Sequence, residues 1–479
     1  MPDAAGPSPH QKPPHIKKQA VLLIHGIGEQ RPMATLWKLV DLVWLKAPRA
    51  PGAPERKVYS EPDEASGMFE LRRLSTNAAA DGKRTDFFEF YWAHLMHGNE
   101  LSDVLAWLGA LAMRKRDTVP PHLHKAWRTL RIAAVALAFV LAIALGASLF
   151  AGLGGQAALL GLIALAAGCS VIAVTLADQI FFSPVLGDAA RYLSPAPKNI
   201  LSRQQIREQG LRLLDSLHAS GKYDRIILVG HSLGGVIAYE LIHHYWGRRN
   251  RMMTRDGAVQ DALAQVEAAG LALEADATPE SRVRWRGAQD ALRTALAAET
   301  ASDGAPLWLI SDLVTLGCPL AHAETLLAED PAAFRALLER RELASCPPIY
   351  ETFADGRRRF SYCRTPGAAD DPDAAPRAPH NGAAFAAVRW TNIYFPIAGI
   401  LRGDLIGGPS GGCFGAGVQD VPARAPRAGG WFPHMHYFEA DADPVWGDPA
   451  WADHRAAIRA AIALERQLDH APNAAKHSP

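Results

Sequence analysis

A short apolar run, Arg225-Ile-Ile-Leu-Val229, leads directly into Gly230-His231-Ser232-Leu233-Gly234-Gly235, and a helical pattern, Val236-Ile-Ala-Tyr-Glu-Leu-Ile242, follows at once. This strand–turn–helix constrains the chain more than any other segment. A serine hydroxyl is a weak nucleophile, so it needs a base and a position where a substrate can reach it. A sharp turn between strand and helix pushes the serine out of the sheet, and only small neighbours tolerate the crowding. Gly230 and Gly234 supply that room, and Gly235 lets the helix approach closely. The glycines alone are weak evidence; the strand before them and the helix after them give the pattern its meaning.

Composition narrows the surroundings. The chain has 479 residues, enough for one large domain with insertions or for two or three smaller ones. A hydrophobic content of 49% is ample for a core, and Lys+Arg 50 against Asp+Glu 49 gives no argument for a nucleic-acid partner. The five cysteines are scattered and odd in number, with no CxxC pair, which fits a reducing compartment and indicates neither a zinc site nor a disulfide framework. Residues 1–19 are rich in Pro and Gly without an apolar centre, so they read as a disordered tail and not as a signal peptide.

Between Arg131 and Asp178 no residue is charged. Ile132–Ala151 and Ala157–Ala177 are apolar runs of 20 and 21 residues, separated by Gly152-Leu-Gly-Gly-Gln156. A helix of 20 residues is about 30 Å long, the thickness of a bilayer's hydrocarbon core. The runs carry no polar stripe of the kind a soluble helix keeps. Residues 126–180 are therefore expected to form a transmembrane hairpin, with the bilayer as partner through 132–177. Lys125, Arg128 and Arg131 precede the first run, so the positive-inside rule places both soluble flanks in the cytoplasm, at a cytoplasmic or inner membrane.

The rest of the chain alternates strands with helices. Residues 20–24 form a strand ending in His25-Gly26-Ile27-Gly28; Thr85–Trp92 alternates like a strand; Leu101–Met113 and Ile200–Ala219 have helical periodicity. Further strands are expected within Trp308–Gly317 and over Ala387–Tyr394, with a closing helix from about Pro449 to Leu468. Residues 248–303, rich in Ala, Arg, Glu and Asp, read as an inserted helical pair with exposed faces. This gives an α/β chain with a mostly parallel sheet flanked by helices. One catalytic unit is expected over 20–125, 181–247 and 304–470, interrupted by the hairpin and by 248–303; residues 471–479 are a tail.

A seryl nucleophile needs a histidine base and an acid to orient it. After such a turn the chain order is serine, acid, histidine. His434 and His436 lie late, in Trp431-Phe-Pro-His-Met-His-Tyr437, and being alternate residues only one would face the serine in an extended segment. Asp404, in the loop Arg402-Gly-Asp-Leu-Ile-Gly-Gly408 after the strand ending at Tyr394, is the acid that fits the order; Asp420 and Asp441 stay open. The oxyanion hole is expected from the backbone N–H of Leu233 and that of Ile27 or Gly28. The histidine pairs His122/His124 and His434/His436 lack the neighbours a metal site needs, so no metal is expected.

At these residues the chain resembles the α/β-hydrolase superfamily, in particular its serine esterase and lipase-like members and the branch containing the GPI inositol-deacylase-like proteins. The matching pieces are Val21-Leu-Leu-Ile-His-Gly-Ile-Gly28, Ile227-Leu-Val-Gly-His-Ser-Leu-Gly-Gly-Val236, Leu313-Val-Thr-Leu-Gly-Cys-Pro-Leu320, Trp390-Thr-Asn-Ile-Tyr394 with Asp404, and His434-Met-His-Tyr437. The last is similar to the family's late histidine, three residues before a tyrosine, and it favours His434 over His436. The resemblance implies an α/β-hydrolase fold and cleavage of a carboxylic ester through an acyl-enzyme, without a cofactor. The expected substrate is an ester, lipid-like or acylated if the hairpin holds the site near a bilayer. An acyltransferase on the same fold, or an idle membrane scaffold, are the alternatives.

Overall fold

The computed structural model describes residues 18–95 except 27–30, 50, 53, 80 and 81; residues 128, 131 and 192; 197–363 except 256; 376–397; 403–426 except 405; and 433–464 except 442. The apolar runs of the predicted hairpin (132–177), the predicted helix Leu101–Met113, and Ile27 and Gly28 lie outside the described residues. No helix among the described residues is long and apolar enough to cross a membrane.

The main sheet is built from β1 (Lys18–Ile24), β2 (Val58–Pro62), β3 (Arg72–Thr76), β4 (Arg84–Phe90), β5 (Arg225–His231), β6 (Ile310–Leu316), β7 (Arg389–Tyr394), β8 (Gln419–Pro426), β9 (Pro444–Trp446) and β10 (Ala452–Asp453). The spatial order is β9-β8-β7-β6-β5-β1-β4-β3-β2, with β10 paired to β8. The stretch from β8 to β4 is parallel throughout. The β2–β3–β4 edge and the β8–β9 pair are antiparallel. The expected α/β architecture with a mostly parallel sheet is therefore present. Segments far apart in sequence share this one sheet.

The central strands are buried on both faces, as a covered parallel sheet requires. Along β1, Ala20, Leu22 and Ile24 face one core while Val21 and Leu23 face the other; along β5, Ile226 and Leu228 alternate with Ile227 and Val229 in the same way. The first core lies under α2 (Pro197–Ala219), α3 (Leu233–Arg249), α4 (Ala258–Ala275) and α5 (Pro279–Ala298). The second lies under α1 (Ala34–Val40) and α6 (His454–Ile462).

Chain order makes β1 and β5 special. From β1 the chain crosses to the edge strand β2, comes inward through β3 to β4 beside β1, then passes to the other side of β1 as β5 and continues to β6, β7 and β8. The order reverses between β1 and β5, and open parallel sheets bind ligands outside the carboxyl ends of the strands at such a switch point.

Two expectations need correcting. The helical pair in 248–303 is no exposed insertion: Leu263, Val266, Trp285, Leu292 and Leu296 are all fully or almost fully buried in the first core. On α5, Trp285, Leu292 and Leu296 recur at helical spacing and form one buried stripe, while Val283 faces outward, so a polar composition hid a packed face. Arg249 is buried, its guanidinium donating to Leu307 O and Pro306 O and pairing with Asp303. The closing helix is also shorter than expected within the described residues, ending at Ile462.

Candidate active site

β5 ends at His231 and α3 begins at Leu233, leaving Ser232 alone in the bend. Its backbone is at φ 53° and ψ −128°, a conformation that strains any residue with a side chain. The bend is held by packing that excludes side chains around it. A Cβ on Gly230 would meet the Cα of Gly235 at 2.5 Å, one on Gly234 would strike the carbonyl oxygen of Ile24, and one on Gly235 would lie 2.6 Å from Cys318 Sγ. The end of β1 closes over the same point, since a Cβ on Gly26 would stand 3.0 Å from Ser232 Cβ and 2.8 Å from His231 Nδ1. The sequence pattern thus folds as a tight strand-to-helix turn at the switch point. Leu233 opens the helix, and amides of a first helical turn have no intrahelical acceptor, so they remain available to an anion.

The predicted acid and base meet. His434 Nδ1 lies 2.9 Å from Asp404 Oδ2, and both residues are buried. A carboxylate only accepts, so Nδ1 carries the proton and Nε2 presents a lone pair. That Nε2 is buried and has no hydrogen-bond partner among the described residues. No hydrogen bond joins it to Ser232, whose neighbour His231 packs its ring against that of His434 at a centroid distance of 5.0 Å. The peptide of Ser232 is tied to the same place, because its N–H donates to Leu316 O at 2.9 Å and the next residue, Gly317, sits against the acid–base pair.

Burial alone would raise the Asp404 carboxyl, but the His434 ring, the Gly407 amide and the Tyr437 hydroxyl outweigh it and hold the group below the usual carboxylate range. Tyr437 donates to Asp404 Oδ2 at 2.8 Å, the same oxygen that faces His434, and accepts from Phe395 N at 3.1 Å. Ile406 N–H donates to the other oxygen at 2.8 Å. The carboxylate is therefore fixed from several directions and kept ionised.

His231 Nε2 lies 2.9 Å from the carbonyl oxygen of His434; a carbonyl only accepts, so His231 donates and ties the base's backbone to the seryl turn. Burial, first of all, and the neighbouring His434 ring push His231 down to about 3, so it stays neutral. His25, likewise lowered to about 4 by burial, donates from Nδ1 to Gly26 O at 2.7 Å and accepts at Nε2 from Trp92 N–H at 3.3 Å. It braces the loop that closes over Ser232.

The other candidates go elsewhere. His434 and His436 lie on one turn of 3-10 helix, Pro433–His436, and not in an extended segment; His436 is half-buried and faces Glu439 at 3.7 Å. Asp420 accepts from Asn392 and from the amides of Ser410 and Gly411, and Asp441 pairs with Lys46 on the surface. No group of three metal-ligating side chains is found among the described residues. Reading of the sequence missed Tyr437's hydroxyl, the brace by His231, and Gly317, where φ is +56° and a Cβ would stand 2.6 Å from Asp404 Oδ2. A glycine directly after an apolar strand was the available signal. Comparisons with family models, with curated proteins and with solved structures returned no match to this chain.

Proposed function

We propose that this chain is a serine hydrolase of the α/β-hydrolase type, anchored in a membrane through residues 132–177, that cleaves a carboxylic ester. The single observation that carries the reading is a buried His434–Asp404 pair, its Nε2 without a partner among the described residues, whose ring packs on His231, the residue directly before a serine held at positive φ in a strand-to-helix turn. In the proposed reaction Ser232 Oγ attacks the ester carbonyl and its proton passes to His434 Nε2. Asp404 orients and stabilises the imidazolium. The amide of Leu233, with that of Ile27 or Gly28, holds the developing oxyanion at the positive end of α3. Collapse of the intermediate breaks the bond to the leaving alkoxide, which takes the proton from His434 and departs as an alcohol. Water then repeats the sequence on the acyl-enzyme and releases the acid. Hydrogen bonds between base and nucleophile are commonly long before substrate binds and shorten in the complex.

A fluorophosphonate probe tests this directly. Labelling confined to Ser232, together with turnover of a short p-nitrophenyl ester that Ser232→Ala abolishes, is the expected result. A Ser232→Ala protein that keeps that turnover refutes the mechanism. For the anchor, retention in the membrane pellet after alkaline carbonate washing is expected, and release by the wash refutes it.

A further inference from the structure

Glu89 has no place in that mechanism. It is the penultimate residue of β4, on the same carboxyl edge of the sheet as the seryl turn, and its side chain is fully buried. Oε2 accepts from Met33 N at 2.5 Å, whereas Oε1 has no hydrogen-bond partner at all among the described residues. Beside it lies a cavity of about 280 Å³, whose wall includes Ser66, Met68, Tyr91, His94 and Arg212. A buried carboxylate with an unsatisfied oxygen is expensive unless a cation or a proton neutralises it. No lysine or arginine pairs with Glu89 among the described residues. Arg212 borders the cavity, but its side chain is 72% exposed and turned to Glu208 at 3.7 Å, so it belongs to the rim.

The remaining wall suits an organic cation. The rings of Tyr91 and His94 are stacked nearly parallel, 7° apart in plane at a centroid distance of 5.8 Å, and Met68 adds a polarizable thioether. Aromatic faces attract alkylammonium groups, most strongly where water is excluded. Burial pushes the Glu89 carboxyl up to about 7, so it stands at the edge of ionisation and a cation arriving beside it would fix its charge. The other titratable or charged side chains on this cavity are Tyr91 and His94, which follow β4, and Arg212 on α2.

We propose that this cavity is a binding site for an ammonium group, with Glu89 as its counter-ion and the Tyr91–His94 pair as its wall. The cavity adjoins the seryl turn through two contacts: the ring of Tyr91 meets that of His25 at 5.2 Å, and the following Gly26 abuts Ser232. The substrate of the ester-cleaving site is then one that carries an amine near the scissile group. That second statement rests on the hydrolase reading; the binding itself does not.

The test uses n-butylammonium at pH 8, with n-butanol as the neutral control of the same shape, titrated calorimetrically into the full-length protein. Expected is saturable binding of the ammonium at about 1 mM with no binding of the alcohol, the same in Ser232→Ala as in the parent. Glu89→Gln, which keeps the acceptor for Met33 N–H, is expected to weaken it at least tenfold. Arg212→Gln removes a positive charge from the rim and is expected to tighten it a few-fold, which keeps the proposal open to test if the Glu89 variant does not fold. Equal binding of butanol, unchanged affinity in Glu89→Gln, or weakening in Arg212→Gln each overturns the site. If the ammonium binds but Glu89→Gln leaves kcat/KM for amine-bearing and neutral esters equally affected, the site stands and its link to the substrate falls.

Discussion

Replacing Tyr437 by Phe removes one oxygen atom and nothing else, at the point where the acid is held. Phe keeps the ring stacked on Phe395, 4.1 Å between centroids and 10° apart in plane. Two hydrogen bonds vanish: the 2.8 Å bond to Asp404 Oδ2, and the 3.1 Å bond that satisfies Phe395 N–H. A bond to a charged acceptor contributes about 1.5–3 kcal/mol, and a buried amide left without an acceptor costs about 1–3 kcal/mol. Tyr437 is fully buried, so water cannot substitute, and the expected loss of stability is about 3 to 5 kcal/mol. That is a large share of the ~5–15 kcal/mol that holds a domain together. Activity should suffer far less. Asp404 keeps His434 and the Ile406 amide, so kcat should fall about tenfold or less, against roughly 10⁴-fold for Asp404→Asn, which favours the wrong tautomer of the base. Because Asp404 sits below its ordinary 3.8, its ionised form stabilises the fold above that pH and the contribution is lost as the pH falls through the lowered value. With one donor gone, acid unfolding should begin at a higher pH. Urea unfolding across pH, with kcat for an activated ester, measures all of this. A parental unfolding midpoint refutes the hydrogen-bond argument, and a kcat loss equal to that of Asp404→Asn refutes the division between brace and orienting acid.

Gly317→Ala forces a Cβ to within 2.6 Å of both Asp404 Oδ2 and Tyr437 Cε2 at a φ of +56°; a displacement of the acid by about 1 Å should lower kcat on the order of 10²-fold, and a Gly317→Ala enzyme of parental kcat contradicts the packing. Asp312 sits near the start of β6, away from the seryl turn, between Arg225 at 2.7 Å and Arg389. Asp312→Asn leaves the buried Arg225 and the partly buried Arg389 without their counter-ion and should cost about 3–5 kcal/mol while kcat of the folded fraction is unchanged; a stable variant, or a folded one with altered kcat, counts against it. Glu89 gives a pH prediction of opposite sign to Asp404. Its folded pKa is raised from 4.5 to about 7, chiefly by burial, so its contribution to stability is full below about 4.5 and is lost as pH rises through about 7. Glu89→Gln should therefore flatten the fall in stability between those values in the absence of any amine, and an unchanged pH profile would count against a buried, uncompensated carboxyl.

The seryl turn was legible because its constraint is local: a strand, a crowded bend that admits only glycines, and a helix. The central strands were legible for a related reason, since continuous apolar runs such as Val21–Ile24 and Ile226–Val229 leave no other place than the interior of a covered sheet. Asp404 and His434 could be chosen only by chain order and resemblance, yet they lie within hydrogen-bond distance. What stayed hidden depends on partners distant in sequence. Strands β2, β3 and β8 carry exposed or charged residues because they lie towards the sheet's edges, and only pairing with neighbours makes them strands. Asp86 and Glu89, wholly interior acids within β4, lie three residues apart and so on opposite faces of the strand, and only the covering of both faces buries them. The role of Tyr437 was invisible for the same reason, because nothing in the sequence says where its hydroxyl will end.

The bond between the His231 ring and the His434 carbonyl spans 203 residues of chain. Ser232 leans at the same time on Gly26, just past the end of β1, and on Leu316, the last residue of β6. A ribosome adding about 5–20 residues per second exposes the serine well before the imidazole that would arm it exists. The growing polypeptide therefore carries a harmless hydroxyl until those later residues have been added. Hydrolytic competence, on the proposed mechanism, arrives only once the turn Pro433–His436, made about 200 residues after the serine, locks into the sheet that β1 begins.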